Sequence, residues 1–276
     1  MPSAADRRSD RTLERLSLDG GVVLFRSRLL AQAGFAHAFT TRHGGVSVAP
    51  FDTLNLGFGV GDDPTAVADN IRRVAHALGC GGQPVVTVRQ VHGAATAAWP
   101  GDFAPDAPPP AADAIVSTTA AVLNLVRVAD CVPVLAACSR SGAVAAIHAG
   151  WRGLVAGAVF AAIERLCEVA GSRPERLLAA VGPCIGVEQY EVGEEVVESF
   201  RAAGLEHAID RRWPRPHADL HAAAVSQIVA AGIPTDAVDG QPLCTAANPE
   251  LFYSHRRDRG RTGRQAAAIV ARASAS

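Results

Sequence analysis

The spacing of apolar residues near the first quarter of the chain predicts a helix. From Val67 to Leu78 apolar side chains recur every three to four residues, and Asp63 and Pro64 precede them. Asp is a frequent N-cap residue and Pro suits the first turn of a helix. We therefore predict a helix over residues 64–78.

Alanine-rich stretches in the second half of the chain carry similar spacing. One of them predicts a helix that follows Gly153 and ends at Gly171, and others predict helices near residues 191–203, 218–231 and 263–273. Short apolar runs punctuated by Gly, Pro and Asp lie between the helices, which favours strands and hairpins over a regular βαβ repeat. We expect an α+β fold: a mixed β-sheet core with hairpins, covered by helices, in a single compact domain.

The polar, arginine-dotted beginning of the chain differs from this pattern. We expect residues 1–20 to form a flexible N-terminus and residues 21–276 to form a single catalytic domain. Five prolines cluster between residues 100 and 112. We interpret this cluster as a surface loop between strands rather than as a domain boundary.

Two apolar segments predict strands that end near residues able to bind a metal. Residues 84–91 (PVVTVRQV) read as a buried strand that is followed by His92. Farther along, an apolar run follows Cys131, a Ser-Arg-Ser-Gly turn occupies residues 139–142, and a second apolar run ends at His148. This second pattern is typical of a β-hairpin.

The turn predicts the register of that hairpin. If the strands turn at residues 140–141, Cys131 lies opposite Gly150 and His148 lies opposite Pro133. Cys131 and His148 are then diagonal neighbours on one face, with Cβ atoms about 7 Å apart or less. Pro133 lacks an N–H, so a bulge there would shift the register.

Composition excludes several classes of protein. The 276 residues are 49% hydrophobic and 19% charged, as in ordinary globular proteins, and their formal net charge is -1. A near-neutral chain lacks the basic surface that nucleic-acid binding needs, and no apolar run reaches the roughly 18 residues of a membrane span. We expect a cytoplasmic protein with no nucleic-acid or membrane partner.

The basic residues and the cysteines narrow the chemistry further. All 26 basic residues are arginine, which excludes a lysine Schiff base and a P-loop lysine. The six cysteines contain no Cys-x-x-Cys pair, so a disulfide framework is not expected in a reducing compartment. A special cysteine is better interpreted as a metal ligand or a nucleophile.

Three residues could meet at one metal ion. His92, Cys131 and His148 would supply two imidazoles and a thiolate, a set that binds zinc and leaves a fourth position open for water or substrate. Taken singly, each has a plainer interpretation, since a free cysteine packs as a small hydrophobic residue and a histidine is often only hydrogen-bonded structure. Small residues beside them, Gly93 and Gly150, favour the site because they allow close approach.

A series of motifs from about residue 35 to residue 270 resembles a known family. They are residues 41–47 (TRHGGVS), 55–57 (NLG), 61–63 (GDD), 90–93 (QVHG), 129–133 (ADCVP), 148–153 (HAGWRG), 182–186 (GPCIG), 190–193 (YEVG), 254–258 (SHRRD) and 262–264 (TGR). In these motifs the chain resembles the bacterial multicopper polyphenol oxidase or laccase-domain proteins, also described as purine nucleoside phosphorylases and as peptidoglycan editing factors.

The resemblance implies a site and an activity. It implies a zinc site, with copper also possible, at His92, Cys131 and His148, which would also be the catalytic residues. It further implies phosphorolysis of adenosine, inosine and methylthioadenosine to the free base and ribose 1-phosphate, with adenosine deamination as a second activity. The expected partners are therefore a small-molecule nucleoside and phosphate.

Other residues are candidates for substrate binding or proton transfer. Arg42, Arg152 and Arg256 offer guanidinium forks for phosphate, although each could instead form a structural salt bridge. His43 is a candidate for the pocket rim and Asn55 a further substrate-binding candidate. Asp130 adjoins a predicted ligand and is the best candidate for a catalytic acid or base, or it caps a turn.

Two further features have plainer interpretations. His217 and His221 are four residues apart and could chelate a metal from one helix face, but we favour no ligation by this pair. Cys184 lies in a Gly-Pro-Cys-Ile-Gly turn and could be a nucleophile, but we favour packing beneath the site.

Three other functions compete with nucleoside phosphorolysis. The first is a cysteine-type amidase that edits peptidoglycan precursors by removing L-Ser from UDP-MurNAc-L-Ser, with Cys131 as nucleophile and His92 or His148 as base. The second is a copper polyphenol oxidase, which nine histidines without a His-x-His pair disfavour. The third is a metal-buffering or partner-binding protein without turnover.

Overall fold

Fourteen strands and six α-helices make up the regular structure in the described part of the chain. The computed structural model describes residues 12–104 and 106–273. The strands are β1 (Glu14–Ser17), β2 (Val23–Arg26), β3 (His37–Thr40), β4 (Val85–Val86), β5 (Thr96–Trp99), β6 (Ala114–Ser117), β7 (Leu123–Val128), β8 (Val132–Cys138), β9 (Val144–Ala149), β10 (Leu177–Val181), β11 (Ile209–Asp210), β12 (His217–Ala218), β13 (Val238–Gly240) and β14 (Gln265–Val270). The α-helices are α1 (Arg28–Gln32), α2 (Pro64–Ala77), α3 (Trp151–Val155), α4 (Ala158–Ala170), α5 (Glu194–Ala202) and α6 (Leu220–Ala230).

Two six-stranded mixed sheets form the centre of the molecule. The first sheet has the strand order β1-β2-β3-β14-β7-β4, and the second has the order β13-β10-β8-β9-β6-β5. Strand β4 pairs with β7 in parallel, as β5 does with β6 and β10 with β13, and the other pairs are antiparallel. The two sheets face each other through apolar side chains such as Phe39 and Ile269 from the first and Leu135 and Ile115 from the second.

Helices cover the outer face of each sheet. Helix α2 packs on the first sheet, where Val74 and Leu123 belong to one apolar cluster. Helices α3 to α6 pack on the second sheet, where Ile163, Ile228 and Val134 belong to another. The result is a four-layered single domain, helix–sheet–sheet–helix, in which strands such as β8 are buried along their whole length. The predicted α+β class and single compact domain are confirmed.

One predicted helix begins where expected and another ends where expected. Helix α2 begins at Pro64 with Asp63 as its N-cap, and the Asp63 carboxylate accepts a hydrogen bond from the Thr65 N–H. Gly171 ends helix α4 in the left-handed conformation, with φ 55°. The predicted single helix between Gly153 and Gly171 is nevertheless two helices, because Gly157 adopts φ 79° and interrupts the helix.

The predicted helix over residues 263–273 is wrong, because these residues contain strand β14. This strand lies between β3 and β7 in the first sheet. Its alanines are good helix formers, but their small side chains also fit between the two sheets on one face and under helix α2 on the other. Pairing on both edges thus outweighs local helix propensity.

The predicted strand over residues 84–91 is also shorter than expected. Only Val85 and Val86 pair with β7, and the chain then crosses towards the second sheet. There the Arg89 N–H donates to Pro110 O at 2.9 Å, and the Ala112 N–H donates to Arg89 O at 3.3 Å. This crossing carries His92 into the space between the ends of the two sheets.

Regular structure is present before the predicted boundary at residue 20. Residues 14–17 form β1, which pairs with β2 in antiparallel register, and Leu13 is buried beside them. Backbone pairing and burial of Leu13 hold this polar-looking segment on the sheet. Residues 1–11 of the predicted flexible terminus lie outside the described residues.

Candidate metal centre and its cavity

The hairpin β8–β9 brings Cys131 and His148 together. Pro133 lies opposite His148 and Val132 lies opposite Ala149, so the predicted register is confirmed. The turn is closed by the Gly142 N–H, which donates to Cys138 O at 2.9 Å. No bulge intervenes at Pro133, and Cys131 directly precedes β8 at the open end of the hairpin.

His92 completes a group of three possible metal ligands. The ligand atoms of His92, Cys131 and His148 all lie within 4.8 Å of one another. The two imidazole rings meet edge to face, with ring centroids 4.9 Å apart. His148 is buried, Cys131 is half-buried and His92 is exposed. The group therefore has one open side, which a substrate could approach.

Gly150 makes room for this group. A Cβ atom at position 150 would lie 2.9 Å from Cys131 Sγ and 3.2 Å from His92 Cδ2. Such distances are shorter than ordinary van der Waals contact. The glycine therefore allows the Cys131 side chain and the His92 ring to approach each other in front of the β9–α3 connection.

Asp113 holds two of the possible ligands in place. Its carboxylate contacts His148 Nδ1 at 2.8 Å and accepts hydrogen bonds from the N–H groups of His92 at 2.9 Å and Gly93 at 2.7 Å. His92 adopts φ 59°, a left-handed conformation that these hydrogen bonds stabilise. With Nδ1 engaged by Asp113, Nε2 of His148 is left to face Cys131, as in carboxylate–histidine–metal arrangements.

Asp113 was not among the residues identified from the sequence. It is fully buried directly before β6, an otherwise apolar strand. An acidic residue next to a largely apolar strand is a usable signal, because a buried carboxylate needs partners. Its partner His148 lies 35 residues away along the chain, so the pairing itself has no local signature.

Charges at the site favour a thiolate. Burial opposes ionisation of the Cys131 thiol, but the charge of His148 and hydrogen bonds from His148 and His92 outweigh it and lower the pKa of Cys131 to about 6. Burial likewise opposes the charged form of His148, but the Cys131 thiolate and the Asp113 carboxylate outweigh it and raise the His148 pKa. A thiolate is the form of cysteine that binds metals or attacks carbonyl carbons.

Asp130 lies next to Cys131 with both carboxylate oxygens engaged. Thr245 Oγ1 donates to one oxygen at 2.6 Å and the Arg256 N–H donates to the other at 2.7 Å. The residue adopts φ 89°. Asp130 thus connects the cysteine to the segment that carries Arg256, which is the geometry of a positioning group.

The metal-ligand group opens into a cavity of about 610 Å³ that is rich in arginine. Predicted residues Arg152 and Arg256 line this cavity, as does Asp130. The guanidinium carbon of Arg152 lies 4.2 Å from the Trp151 ring centroid, and that of Arg256 lies 4.9 Å from the Tyr190 centroid. Flat cationic and aromatic surfaces therefore face the cavity together.

Three predicted substrate-binding residues lie outside the lining of this cavity. Arg42 forms an ion pair with Asp52 at 3.0 Å and stacks on Tyr253, and His43 Nε2 contacts Glu250 O. Asn55 is fully buried, and its side chain bonds to neighbouring loop residues. The protein itself supplies hydrogen-bond partners for these groups, which organise the loop after β3, and their assignment to substrate binding stays a prediction.

Other cavity residues escaped the sequence analysis. Arg89, Arg127 and Arg264 line the same cavity as Arg152 and Arg256. Sequence position alone could not select them among 26 arginines. A usable signal was the motif context of Arg264 at the end of residues 262–264 (TGR). Arg127 had none, because strand β7 otherwise reads as an ordinary apolar strand.

The two features with plainer interpretations behave as structural residues. His217 belongs to β12, outside helix α6, where it stacks on Trp213 with centroids 4.3 Å apart, so the pair with His221 does not share a helix face. Cys184 is 2% exposed and packs in the apolar cluster of the second sheet. Within the described residues, no helix is long and apolar enough to cross a membrane.

Comparison with known proteins gives consistent matches over nearly the whole chain. A family model described as multi-copper polyphenol oxidoreductase laccase matches residues 36–272. A protein from Deinococcus radiodurans named purine nucleoside phosphorylase is 42% identical over 255 residues, covering 90% of this chain and 93% of that protein. A Streptomyces griseus protein named purine nucleoside phosphorylase ORF3 is 41% identical over 245 residues, covering 88% and 98%. The crystal structure of YlmD from Geobacillus stearothermophilus superposes with a TM-score of 0.83 at 33% identity, covering 94% of this chain and 98% of that one.

Proposed function

Because the chain belongs to the multicopper polyphenol oxidoreductase laccase family, and relatives at about 40% identity are named purine nucleoside phosphorylase, we propose that it is a zinc-dependent purine nucleoside phosphorylase. Its substrates would be adenosine, inosine and methylthioadenosine, with adenosine deamination as a second activity. The observation that carries this proposal is the His92–Cys131–His148 group at the edge of an arginine-lined cavity.

The donor set fits a zinc ion. Two imidazole nitrogens and a thiolate are common zinc ligands, and their positions within 4.8 Å of one another suit a single ion. Asp113 supports this role because metal-binding histidines usually donate their second nitrogen to a carboxylate or carbonyl. Copper also accepts these ligands. The ion would supply Lewis-acid polarisation of a substrate atom.

The chain's own residues have defined tasks in phosphorolysis. A phosphate oxygen attacks C1′ of the ribose, the bond from C1′ to the purine nitrogen breaks, and the purine leaves with the electron pair. In the overall balance, hydrogen phosphate also provides the proton that the purine gains. Arginines of the cavity bind and orient the phosphate. Trp151 and Tyr190 line the cavity and would offer aromatic surface to the nucleoside.

The test combines metal analysis with chromatography of adenosine reactions. Wild-type protein is expected to hold about one zinc per chain and to release adenine only when phosphate is present. Cys131→Ala is expected to lose both properties. Cys167→Ala is the matched control, because Cys167 lies on α4 away from the cavity. Inosine formed without phosphate would reveal the deaminase activity, and a metal-free wild type that leaves nucleosides intact would contradict the proposal.

A cysteine-type amidase is the second candidate, and the lowered pKa of Cys131 favours it. Such an enzyme would release L-Ser from UDP-MurNAc-L-Ser after complete removal of metal. Loss of this hydrolysis on chelation would exclude it. A copper polyphenol oxidase has less support, since the described residues contain one group of three possible metal ligands and multicopper centres need several.

A further inference from the structure

The arginines that line the cavity differ from many other arginines of the molecule. Surface arginines such as Arg73, Arg165 and Arg211 form ion pairs with carboxylates at 2.8 to 3.0 Å. Within residues 12–104 and 106–273, no carboxylate lies within ion-pair distance of any arginine of the cavity lining. Several cations gathered in one cavity, none of them in an ion pair with a carboxylate, attract an anion.

Two of these arginines are partly removed from water and occupy neighbouring positions of the first sheet. We refer to Arg127 and Arg264 as the buried arginine pair. Burial lowers the pKa of both guanidinium groups. Strands β7 and β14 pair Arg127 with Ala266, and continuing this register sets Arg264 diagonal to Arg127 on the same face. The charge of Cys131 acts on Arg264, so Arg264 lies near the metal-ligand group.

One loop segment holds the stems of both side chains. Arg127 Nε donates to Leu56 O at 2.7 Å, and the backbone N–H of Arg264 donates to Asn55 Oδ1 at 2.8 Å. The Arg264 stem packs on Gly57, where a Cβ atom would lie 2.6 Å from Arg264 Cγ. This loop therefore fixes the direction of two guanidinium groups before any ligand arrives, which reduces the ordering that binding requires.

The outer nitrogens of the pair are not used by the protein. Arg264 Nη1 donates to Thr262 O and Gly263 O. Among the described residues, nothing accepts a hydrogen bond from Nη1 or Nη2 of Arg127 or from Nη2 of Arg264. Guanidinium groups in a partly desolvated wall need acceptors for these N–H groups. A tetrahedral oxyanion supplies them in the forked geometry that arginine prefers.

Two other arginines of the cavity lining, Arg152 and Arg256, suit a different part of the substrate. Arg152 and Arg256, the stacked arginine pair, are exposed and cover the rings of Trp151 and Tyr190. Solvent and salt screen their charges more than those of the buried arginine pair. We propose that the buried arginine pair, Arg127 and Arg264, is the binding site for inorganic phosphate, and that the stacked arginine pair contacts the nucleoside. This assignment rests on the proposed phosphorolysis for its place in a reaction.

The test measures phosphate binding separately from turnover. Inorganic phosphate alone is titrated into zinc-loaded wild type and into Arg127→Gln, Arg264→Gln, Arg152→Gln and Arg72→Gln, and binding is followed by calorimetry. Loss of one charged, forked contact is expected to weaken phosphate binding about 10- to 100-fold in the first two variants. Arg72→Gln is the matched control because Arg72 is exposed on helix α2 and pairs with Asp69. Arg152→Gln is expected to raise the KM for adenosine while the KM for phosphate changes less than about threefold.

A second measurement uses only the wild type, so it does not depend on whether the variants fold. It measures how far phosphate protects individual arginines from chemical modification. Phosphate is expected to protect Arg127 and Arg264 from phenylglyoxal, as read by peptide mass spectrometry, more than it protects Arg152 and Arg256. The reverse pattern, or unchanged phosphate binding in folded Arg127→Gln and Arg264→Gln, would overturn the assignment. So would binding of adenosine 5′-monophosphate without binding of inorganic phosphate. Phosphate binding by this pair without release of purine would support the anion site and contradict the proposed function.

Discussion

The β8–β9 hairpin and the loop over residues 41–63 contribute to the site in different ways. In the hairpin, alternation along paired strands presents Cys131 and His148 to the cavity. In the loop, polar side chains mostly bond to one another, and Asn70 of α2 donates to Ser47, Thr53 and Asn55. The hairpin contributes two of the possible metal ligands, whereas the loop is a rigid support for side chains that face the cavity.

The largest expected effect separates stability of the loop from metal binding. In Gly45→Ala a Cβ atom would lie 2.1 Å from Thr53 O and 2.5 Å from Asn70 Oδ1. Because the nearest obstacle is backbone, we expect the free energy of unfolding to fall by about 3 kcal/mol, measured by chemical denaturation. The zinc content of the folded fraction should stay unchanged.

Gly81→Ala is the control for that experiment. Its Cβ atom would meet nothing closer than 3.4 Å, so the free energy of unfolding should change by less than about 0.5 kcal/mol. Equal stabilities for the Gly45 and Gly81 variants would contradict the view that the loop is a rigid support.

The corresponding glycine of the hairpin should show the opposite behaviour. In Gly150→Ala the added methyl group would lie 2.9 Å from Cys131 Sγ, and we expect zinc affinity to fall about 100-fold, or about 2.7 kcal/mol. Competition with a chromophoric chelator measures this affinity. Gly150 adopts φ -80°, which suits alanine, so the metal-free variant should unfold within about 1 kcal/mol of wild type. A wild-type zinc affinity would show that the ligands do not need this space.

The hairpin should also hold its cysteine in a different charge state from a cysteine packed beneath it. The pKa of Cys131 is lowered to about 6, whereas burial raises that of Cys184. In metal-free protein at pH 7, about 90% of Cys131 is therefore expected as thiolate, against about 3% for an ordinary thiol with pKa near 8.5. Raising the pH ionises a thiol, so alkylation of Cys131 should rise through pH 6 and then level off.

Mass spectrometry that measures alkylation of each cysteine separately, across pH 4 to 9, checks this prediction. Cys184 should stay unmodified while the protein is folded, and zinc should protect Cys131. A Cys131 reaction that rises only above about pH 8 would show that His148 does not stabilise the thiolate.

The smallest of the expected effects concerns Asp113, which holds His148 and the backbone of His92 in place for metal binding. Asp113→Asn keeps one oxygen but turns an amide towards N–H donors and His148, and we expect zinc affinity to fall about 30-fold. Asp239→Asn is the control, because Asp239 is equally buried but accepts from Ser27 and Leu29. It should lower stability without changing zinc affinity. Equal zinc affinities in the two variants would show that Asp113 does not position the metal ligands.

The sequence predicted the hairpin well because its rules are local. Alternation has a period of two residues and the turn is only four residues long, so positions of Cys131 and His148 followed from spacing. Helix α2 was predicted for the same reason, since Asp63 caps it within three residues. The α+β class followed from the mixture of such local patterns.

What the sequence could not predict depends on distant pairing. Strand β14 is alanine-rich and reads as a helix until β3 and β7 enclose it. Asp113 meets His148 across 35 residues, and the Arg264 N–H meets Asn55 across 209. Arg42 and Asn55 carry family motifs, but only the folded loop reveals that their hydrogen bonds are internal.

A zinc titration tests whether a metal at the His92–Cys131–His148 group supports phosphorolysis. Protein stripped with a chelator is mixed with zinc in steps, and phosphate-dependent adenine release from adenosine is followed at each step. We expect no release at the start, a linear rise, and a break at about one zinc per chain, with no rise in Cys131→Ala. Full adenine release from the metal-free protein, or a rise that persists in Cys131→Ala, would contradict this expectation.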